Sequence, residues 1–385
     1  MDKVIFTGTH RVCSPEDTLD SITPLFGHFG ITRLADVTGL DVLGIPVVMA
    51  VRPLGTTLSV SQGKGSTLAL AKISAAMEAI ELWHAENAVP EPEIRDATAL
   101  DLNLPYAASS LSSHPGSLFT EYTATSWIMA STAITRESLP VPWSLVQMGR
   151  HSREDWLLGS PSASSNGLAA GNTRHEAVTH GLYEIIERDA TDGLAKVPVY
   201  ERACVDLGTV DDAWCAEMID RILDAGAWLE VAEAPNRFGV PCFAAYIWAE
   251  ELPSSLAIGS GAHSDPAVAF SRAVTEAAQS RLTTINGSRD DIQPRTYTQL
   301  EKPLPRPATS GKMTDWNEMT SQYDSLFVTD EDEEAWVAQL VKTVTGSEPM
   351  IIDLNASPGP AVVKVVCPGV NYLVRHDIPR PEARN

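Results

Sequence analysis

The sequence predicts a mixed α+β fold in which several sheets pack against helices. Three observations predict it. Three apolar helical segments each carry Glu paired with Glu or Gln three residues on, and each follows a Ser/Gly-rich turn. Short apolar runs of strand length lie between and after those segments. Over 385 residues, 44% hydrophobic and 20% charged content is ordinary globular usage, enough for a sizeable core.

The chain begins MDKVIFTGTHRVCSPEDT, which lacks the apolar core of a signal peptide. The longest aliphatic run, IPVVMAV at 45–51, is too short to span a membrane. The first helical segment is SQGKGSTLALAKISAAMEAIELWHAE at 61–86, with Glu78 and Glu81. The stretch SPSASSNG at 160–167 reads as a loop. It leads into the second segment, SNGLAAGNTRHEAVTHGLYEIIERDA at 165–190, with Glu184 and Glu187. Runs at 240–248 and 255–258 read as short strands. The third segment is SGAHSDPAVAFSRAVTEAAQSRL at 260–282, with Glu276 and Gln279. The proline-rich 301–312 reads as a second loop. Asp330 is placed to cap a helix over 331–345, where Trp336, Leu340, Val341 and Val344 recur at helical spacing and Gly346 stops it. Strands at 350–354 and 361–366 follow.

The three segments form a long-period repeat. Gly63, Gly167 and Gly261 are 104 and 94 residues apart; Glu78, Glu184 and Glu276 are 106 and 92 apart. The two sets drift together. The period is far longer than the roughly 20–50 residues of a solenoid, so a pseudo-threefold domain of three related units is expected. The units would run over about 55–150, 160–250 and 255–300, with an α/β segment at 330–370, all within one domain over 1–385. Residues three apart share a helix face. If the helices converge, the carboxylates of Glu78, Glu81, Glu184, Glu187 and Glu276 meet the amide of Gln279. Such a cluster repels itself unless cations occupy it. Oxygen-only ligands favour Mg²⁺, which commonly joins carboxylates to substrate phosphates. A single Glu pair is more simply a solvated helix face; recurrence beside Gly-rich turns favours a site. Gly63-Lys64-Gly65-Ser66 offers backbone N–H groups, an ammonium and a hydroxyl suited to phosphate, although it is no Walker A loop and also fits a plain tight turn. Arg188, Arg281 and Arg289 could balance the carboxylates or bind polyphosphate.

Charge and cysteines narrow the class. With 28 basic and 50 acidic residues the net charge is −22, which argues against nucleic acid or an anionic membrane as the main partner. The five cysteines are scattered, with no CxxC or zinc spacing, which fits a reducing, cytoplasmic setting. No zincin or α/β-hydrolase signature is present. His84 and His180 lie on the acidic helices but are more simply packed or solvated. Cys242, Trp83, Trp127 and Trp143 read as packing groups.

Together, SxGKG…SAxxEAIE at 61–81, GLAAGNTxxEA…ExIERDA at 167–190 and SRAxTEAAQSRL…GSRDD at 271–291 resemble the YcaO family. The segments at 30–53 and 362–370 are similar to it as well, so the resemblance covers nearly the whole chain. It implies a YcaO-type ATP-binding fold and ATP-dependent modification of a peptide backbone, with azoline, thioamide and amidine products across the family. It also implies ATP and Mg²⁺ as cofactors and a precursor peptide as substrate. Glu78, Glu81, Glu184 and Glu187 match positions that bind magnesium and phosphates, and Glu276 is added to that set as a metal ligand. Ser74, Asn172, Glu176 and Arg188 match nucleotide-contact positions. Arg11 and Thr18 match an N-terminal Lys/Ser pair of the same spacing. Gln279 and Arg281 fall in the third motif, and Lys64 joins the cofactor-binding set. Two departures are Leu82, where many members carry Arg, and Asn371, where PGxE is common.

ELWHAE at 81–86 and GSRDD at 287–291 look like members that pair with TfuA-type proteins and install thioamides. The chain has no room for a fused E1-like leader-binding domain, and its end, IPRPEARN, is not a PxPxP tail. The expected activity is therefore thioamidation with a TfuA-like partner. Azoline formation on Cys, Ser or Thr with an E1-like partner, amidine formation, and a non-catalytic Mg–ATP-binding regulatory or assembly protein are the alternatives. A homodimer is compatible with all of them.

Overall fold

The computed structural model describes residues 1–111, 118–149, 161, 163–251, 256–292, 306–307, 311–323, 326–354 and 359–370. In chain order the strands and helices are β1 (Val4–Phe6), β2 (Thr9–Arg11), α1 (Pro15–Ile22), β3 (Arg33–Asp36), β4 (Val47–Val51), β5 (Val60–Lys64), α2 (Leu68–Asn87), β6 (Ile94–Ala97), β7 (Thr125–Thr132) and β8 (Ser138–Pro142). There follow β9 (Leu168–Gly171), α3 (Arg174–Ala195), β10 (Ala203–Val205), α4 (Ala213–Asp224), β11 (Trp228–Glu233), β12 (Cys242–Trp248), β13 (Ala257–Ala262), α5 (Pro266–Asn286), β14 (Lys312–Thr314), α6 (Trp316–Thr320), α7 (Asp330–Thr345), β15 (Met350–Asp353) and β16 (Ala361–Val366). The mixed α+β class is as the sequence predicts.

Three of the sheets carry the architecture. They run β3-β4-β5, then β6-β7-β15-β16-β9 with β8 on β7, and β13-β12-β11-β10-β14. A strand, a tight turn and a long helix recur three times: β5–α2, β9–α3 and β13–α5. The N-caps are Thr67, Thr173 and Asp265, each accepting a backbone N–H of the first turn. In every case the strand before the helix is the edge of its sheet.

Each helix is wedged between sheets. α2 buries Ala71, Ala75 and Ile80 with Val48 of β4 and Leu168 and Val362 of β9 and β16. α3 buries Leu182 and Ile185 with Val363 and Val365 of β16 and Ala244 of β12. α5 buries Ala273 and Ala277 with Phe243 and Ala245 of β12, and Leu282 reaches Val47 and Met49 of β4. The strand–turn–helix plan thus recurs. The sheets around it do not, since they differ in strand number and order.

Several local expectations change. The capping residue of α7 is Thr329, whose hydroxyl accepts the Asp332 N–H at 3.1 Å; Asp330 is the first helical residue and accepts from the Thr173 hydroxyl instead. The strand expected at 255–258 is β13, begun later and run to Ala262 because it pairs with β12 along its length. Most of 301–312, the end of the 160–167 loop nearest 160, Asn371 and the final IPRPEARN lie outside the described residues. Glycines of the edge strands β5 and β13 serve packing. A Cβ on Gly63 would stand 2.0 Å from the Ala75 nitrogen of α2, and one on Gly259 would stand 2.2 Å from the Ala277 nitrogen of α5. Edge strand and helix therefore lie closer than any side chain allows.

Gly63→Ala should lower stability by about 1–3 kcal/mol through overpacking, read as a shift in the urea midpoint. Gly193→Ala, whose Cβ meets only the Pro235 oxygen at 3.8 Å inside α3, should instead be neutral or stabilising. Equal effects at the two positions would contradict the close-approach account.

Candidate active-site cavity

The three Glu-bearing helices converge on one open cavity of about 1030 Å³. It is lined by Glu78, Glu81, Glu184, Glu187, Glu276 and Gln279, as convergence of the repeats requires. The edge strands supply part of the anchoring. The Gln62 N–H of β5 donates to Glu78 at 3.2 Å, and the Ala170 N–H of β9 donates to Glu81 at 2.7 Å. The Ser260 hydroxyl of β13 donates to Glu187 at 2.7 Å.

The carboxylates feel one another through little solvent. Burial drives Glu81 well above the ordinary carboxylate range, with Glu78 and Glu184 adding to the shift. Burial raises Glu184 to about 7; Glu187 and Glu276 add to this while Arg188 and Lys364 oppose it. Glu78 is raised by burial against the pull of Arg289 and Lys64. Glu276 differs. Burial works to raise it, but Lys64 at 2.8 Å, with Arg188 and Arg272, outweighs that and holds it below its ordinary value. Arg188 lies 3.7 Å from Glu184 and 3.9 Å from Glu187.

At the N-terminal side, four expected nucleotide-contact residues form one network. The Thr18 hydroxyl donates to Asn172 at 3.0 Å, and the Asn172 side chain donates to Glu176 at 3.4 Å. Glu176 also accepts the Val12 N–H at 3.2 Å and lies 3.7 Å from Arg11. Ser74 lines the same cavity. Lys64 lies at the end of β5 facing Glu276, and Ser66 donates to the Thr7 carbonyl. The GKGS stretch is thus the end of an edge strand and the turn after it, with Lys64, Gly65 and Ser66 lining the cavity.

Arg281 does not join the cavity. Its guanidinium is 2% exposed and ion-paired with Asp41 at 2.9 Å and Glu251 at 2.7 Å, so it tethers α5 to neighbouring loops. Arg272 takes the corresponding place, four residues before Glu276 on the same face of α5. It donates to His180 Nε2 at 3.4 Å. His180 is pushed well below its ordinary value by burial and by Arg272, Arg11 and Lys64, so it is neutral at physiological pH. Sequence reasoning passed over Arg272, although its spacing from Glu276 was available. His84, by contrast, bonds the Ile80 carbonyl and packs on Phe29. Trp127 is fully buried, and Trp143 bonds the Pro90 carbonyl.

Among the described residues no three His, Cys, Asp or Glu side chains form a ready-made metal-binding group. The lining also holds buried polar atoms without a protein partner: Arg188 Nε, Arg272 Nε and Gln279 Oε1. Two buried guanidinium donors beside oxygen-only acceptors suit a cation–polyanion ligand such as a magnesium nucleotide.

The family model described as "YcaO cyclodehydratase, ATP-ad Mg2+-binding" matches residues 62–371. An uncharacterized protein of Mycobacterium tuberculosis strain H37Rv is 37% identical over 374 residues, covering 94% of this chain and 83% of the relative. A protein of Rhizobium leguminosarum bv. trifolii, described as lying in the tfuA 3′ region, is 40% identical over 308 residues, covering 76% of this chain and 71% of the relative. Among solved structures, YcaO from Methanopyrus kandleri bound with AMPPCP and Mg²⁺ has TM-score 0.72 at 23% identity, covering 96% of this chain and 95% of that one. A heterocyclase in complex with substrate and cofactor has TM-score 0.74 at 22% identity; it covers 96% of this chain, which spans 55% of the heterocyclase. These likenesses place the fold. The chain belongs to the YcaO family. No helix among the described residues is long and apolar enough to cross a membrane.

The raised Glu184 generates a pH prediction. Its folded value of about 7 lies above the ordinary 4.5, so the folded chain holds this proton more tightly than the unfolded chain. Stability then falls as pH rises through that window. The ligand-free protein should lose up to about 3 kcal/mol from this group between pH 5 and 8, and Glu184→Gln should remove the loss. Urea midpoints at both pH values check this; an equal Gln-minus-Glu difference at pH 5 and pH 8 would contradict it.

Proposed function

We propose that this cavity activates a backbone amide of a ribosomally made peptide at the expense of ATP. The product is a thioamide, formed with a TfuA-like protein that delivers sulfur. The observation that carries the product is the tfuA-region relative, 40% identical over 76% of the chain, to which the ELWHAE and GSRDD segments add support.

Glu78, Glu81, Glu184 and Glu187 are the residues to hold the cations; burial biases the first three toward protonation, and such carboxylates gain most from a divalent charge. Arg11, Thr18, Ser74, Asn172 and Glu176 hold the nucleotide. Arg188 and Arg272 present their unpartnered Nε–H groups to phosphate oxygens. When bound, ATP and Mg²⁺ supply a phosphoryl group for the amide oxygen and neutralise charge on it, so that the oxygen can leave as phosphate. Lys64 and Glu276 form a charge pair in the cavity that favours the ionised form of that carboxylate. Cyclodehydration to an azoline is the second reading, favoured by the wording of the family description.

Mass spectrometry separates the readings. With a precursor peptide, a sulfur source and a TfuA-like protein, the peptide should gain the mass difference between sulfur and oxygen as ADP and phosphate form. Loss of one water at Cys, Ser or Thr without sulfur would establish the azoline reading instead. No peptide-stimulated ATP turnover at all would favour a binding protein.

ATP binding should require Mg²⁺, because the carboxylates otherwise repel the triphosphate. Glu78→Gln should abolish turnover while leaving the fold intact and raising the ligand-free melting temperature. Calorimetric ATP affinity that is the same with and without Mg²⁺ would refute this assignment.

A further inference from the structure

One turn at the cavity is fixed more firmly than packing alone requires. Residues 164–167 lead into β9, and Ser165 and Asn166 line the cavity beside Leu168 and Ala170. Behind them stands Lys364, in the middle of β16, only 4% exposed and on a strand face shared with Val362 and Val366. Its ammonium donates to the carbonyls of Ser164 and Asn166, the latter at 2.8 Å. The Val365 N–H donates to the Gly167 carbonyl at 2.8 Å, and the Leu168 N–H to the Ser165 carbonyl at 2.8 Å. Gly167 has φ +76°, and a Cβ there would stand 2.4 Å from the Val365 oxygen.

A buried ammonium is costly to desolvate. Here its hydrogen bonds go to two backbone carbonyls of one turn, and among the described residues it makes no close ion pair, Glu184 acting on it from further away. The turn's carbonyls are thereby held to the rear. The side chains of Ser165 and Asn166 are left toward the cavity, half-buried and without a hydrogen-bond partner among the described residues. A primary carboxamide presents one acceptor and two donors in a plane. That is the complement of a peptide group, which offers one N–H and one C=O.

We propose that the Ser165–Asn166 turn, locked from behind by Lys364, is a recognition element for the substrate's peptide amide, with Asn166 as the contact and Lys364 as the positioning residue. The proposal rests on the reading that the substrate is a peptide. It adds a substrate wall on the β9 side of the cavity, apart from the Arg11–Thr18–Asn172–Glu176 network assigned to the nucleotide.

The test needs no precursor. The full chain, labelled with ¹⁵N-asparagine, is titrated with N-acetylglycine methylamide as a minimal backbone amide, and the Asn166 carboxamide signal is assigned by its loss in Asn166→Ala. Mg–ATP affinity is measured in parallel for every variant. A saturable shift of the Asn166 signal is expected in the wild type and in Lys364→Arg, which keeps the cation. Lys364→Met should weaken probe binding about fivefold or more, the worth of one hydrogen bond; because Lys364 also acts on Glu184, unchanged Mg–ATP affinity is required of Asn166→Ala rather than of this variant. Asn166→Ala should abolish the other chemical-shift responses to the probe, again with Mg–ATP affinity unchanged; this variant decides the question if Lys364→Met does not fold. An unmoved Asn166 signal in folded wild-type protein, or probe affinity indifferent to Asn166→Ala, overturns the proposal. A protein that binds the probe at Asn166 but not Mg–ATP upholds the turn's role and defeats the functional reading.

Discussion

The structure depends on a mutual need between sheet edges and buried carboxylates. An edge strand carries N–H groups that no neighbouring strand takes up, and a carboxylate out of water needs donors. β5 and β9 are edges, and each gives a backbone N–H to a cavity carboxylate. β13, the third edge, gives a side-chain hydroxyl. The Ala170–Glu81 bond joins the edge strand of one sheet to the helix that follows the edge of another, so the acidic cluster also ties the sheets together. For helix and edge to come this close the strand must lack a side chain at the contact. Gly63 and Gly259 meet that requirement.

The same closeness sets the electrostatics. Burial is the largest influence on Glu78, Glu81 and Glu184, and it pushes all three toward the neutral form. The protein has not cancelled that pressure internally. Lys64 is spent on Glu276, while Arg188 stands at 3.7 Å and 3.9 Å from its two acidic neighbours, too far for strong hydrogen bonds. Carboxylates and, among the described residues, unpartnered guanidinium nitrogens therefore coexist on one wall. A purely structural ion-pair network would have closed them onto each other. A ligand carrying both cation and anion satisfies both sets, whereas a cation or an anion alone satisfies one.

Much of this was legible in the sequence because helical spacing is rigid. Glu78 with Glu81, and Glu184 with Glu187 and Arg188, fall on single faces, and their convergence follows from the shared drift of the repeats. What the sequence concealed was purpose at the turns. Gly63-Lys64-Gly65-Ser66 has the composition of an anion cradle, yet its glycine at 63 answers a steric demand from α2 that is visible only once the helix is docked. Arg281 was misassigned for a reason the helix itself supplies. At about 100° per residue it lies about 140° around α5 from Glu276, on the face that meets Asp41. Arg272 and Gln279, four before and three after Glu276, lie on the cavity face.

Lys364 marks the limit of reading one segment at a time. Within VVKVVCPGV it looks like an exposed residue of a strand with one wet face. It is buried because α2 covers that face of the sheet, and it is tolerated because the turn at 164–167, some two hundred residues earlier in the chain, presents two carbonyls to it. A strand position that holds a cation among Leu168, Val362 and Val366 must be compensated by a partner fixed in place. That partner is a stretch of cavity wall that is neither helix nor strand. Helices and strands take their stiffness from backbone ladders; this turn takes part of its stiffness from a side chain. The buried charge is therefore best understood as what makes an irregular segment rigid enough to face the chemistry.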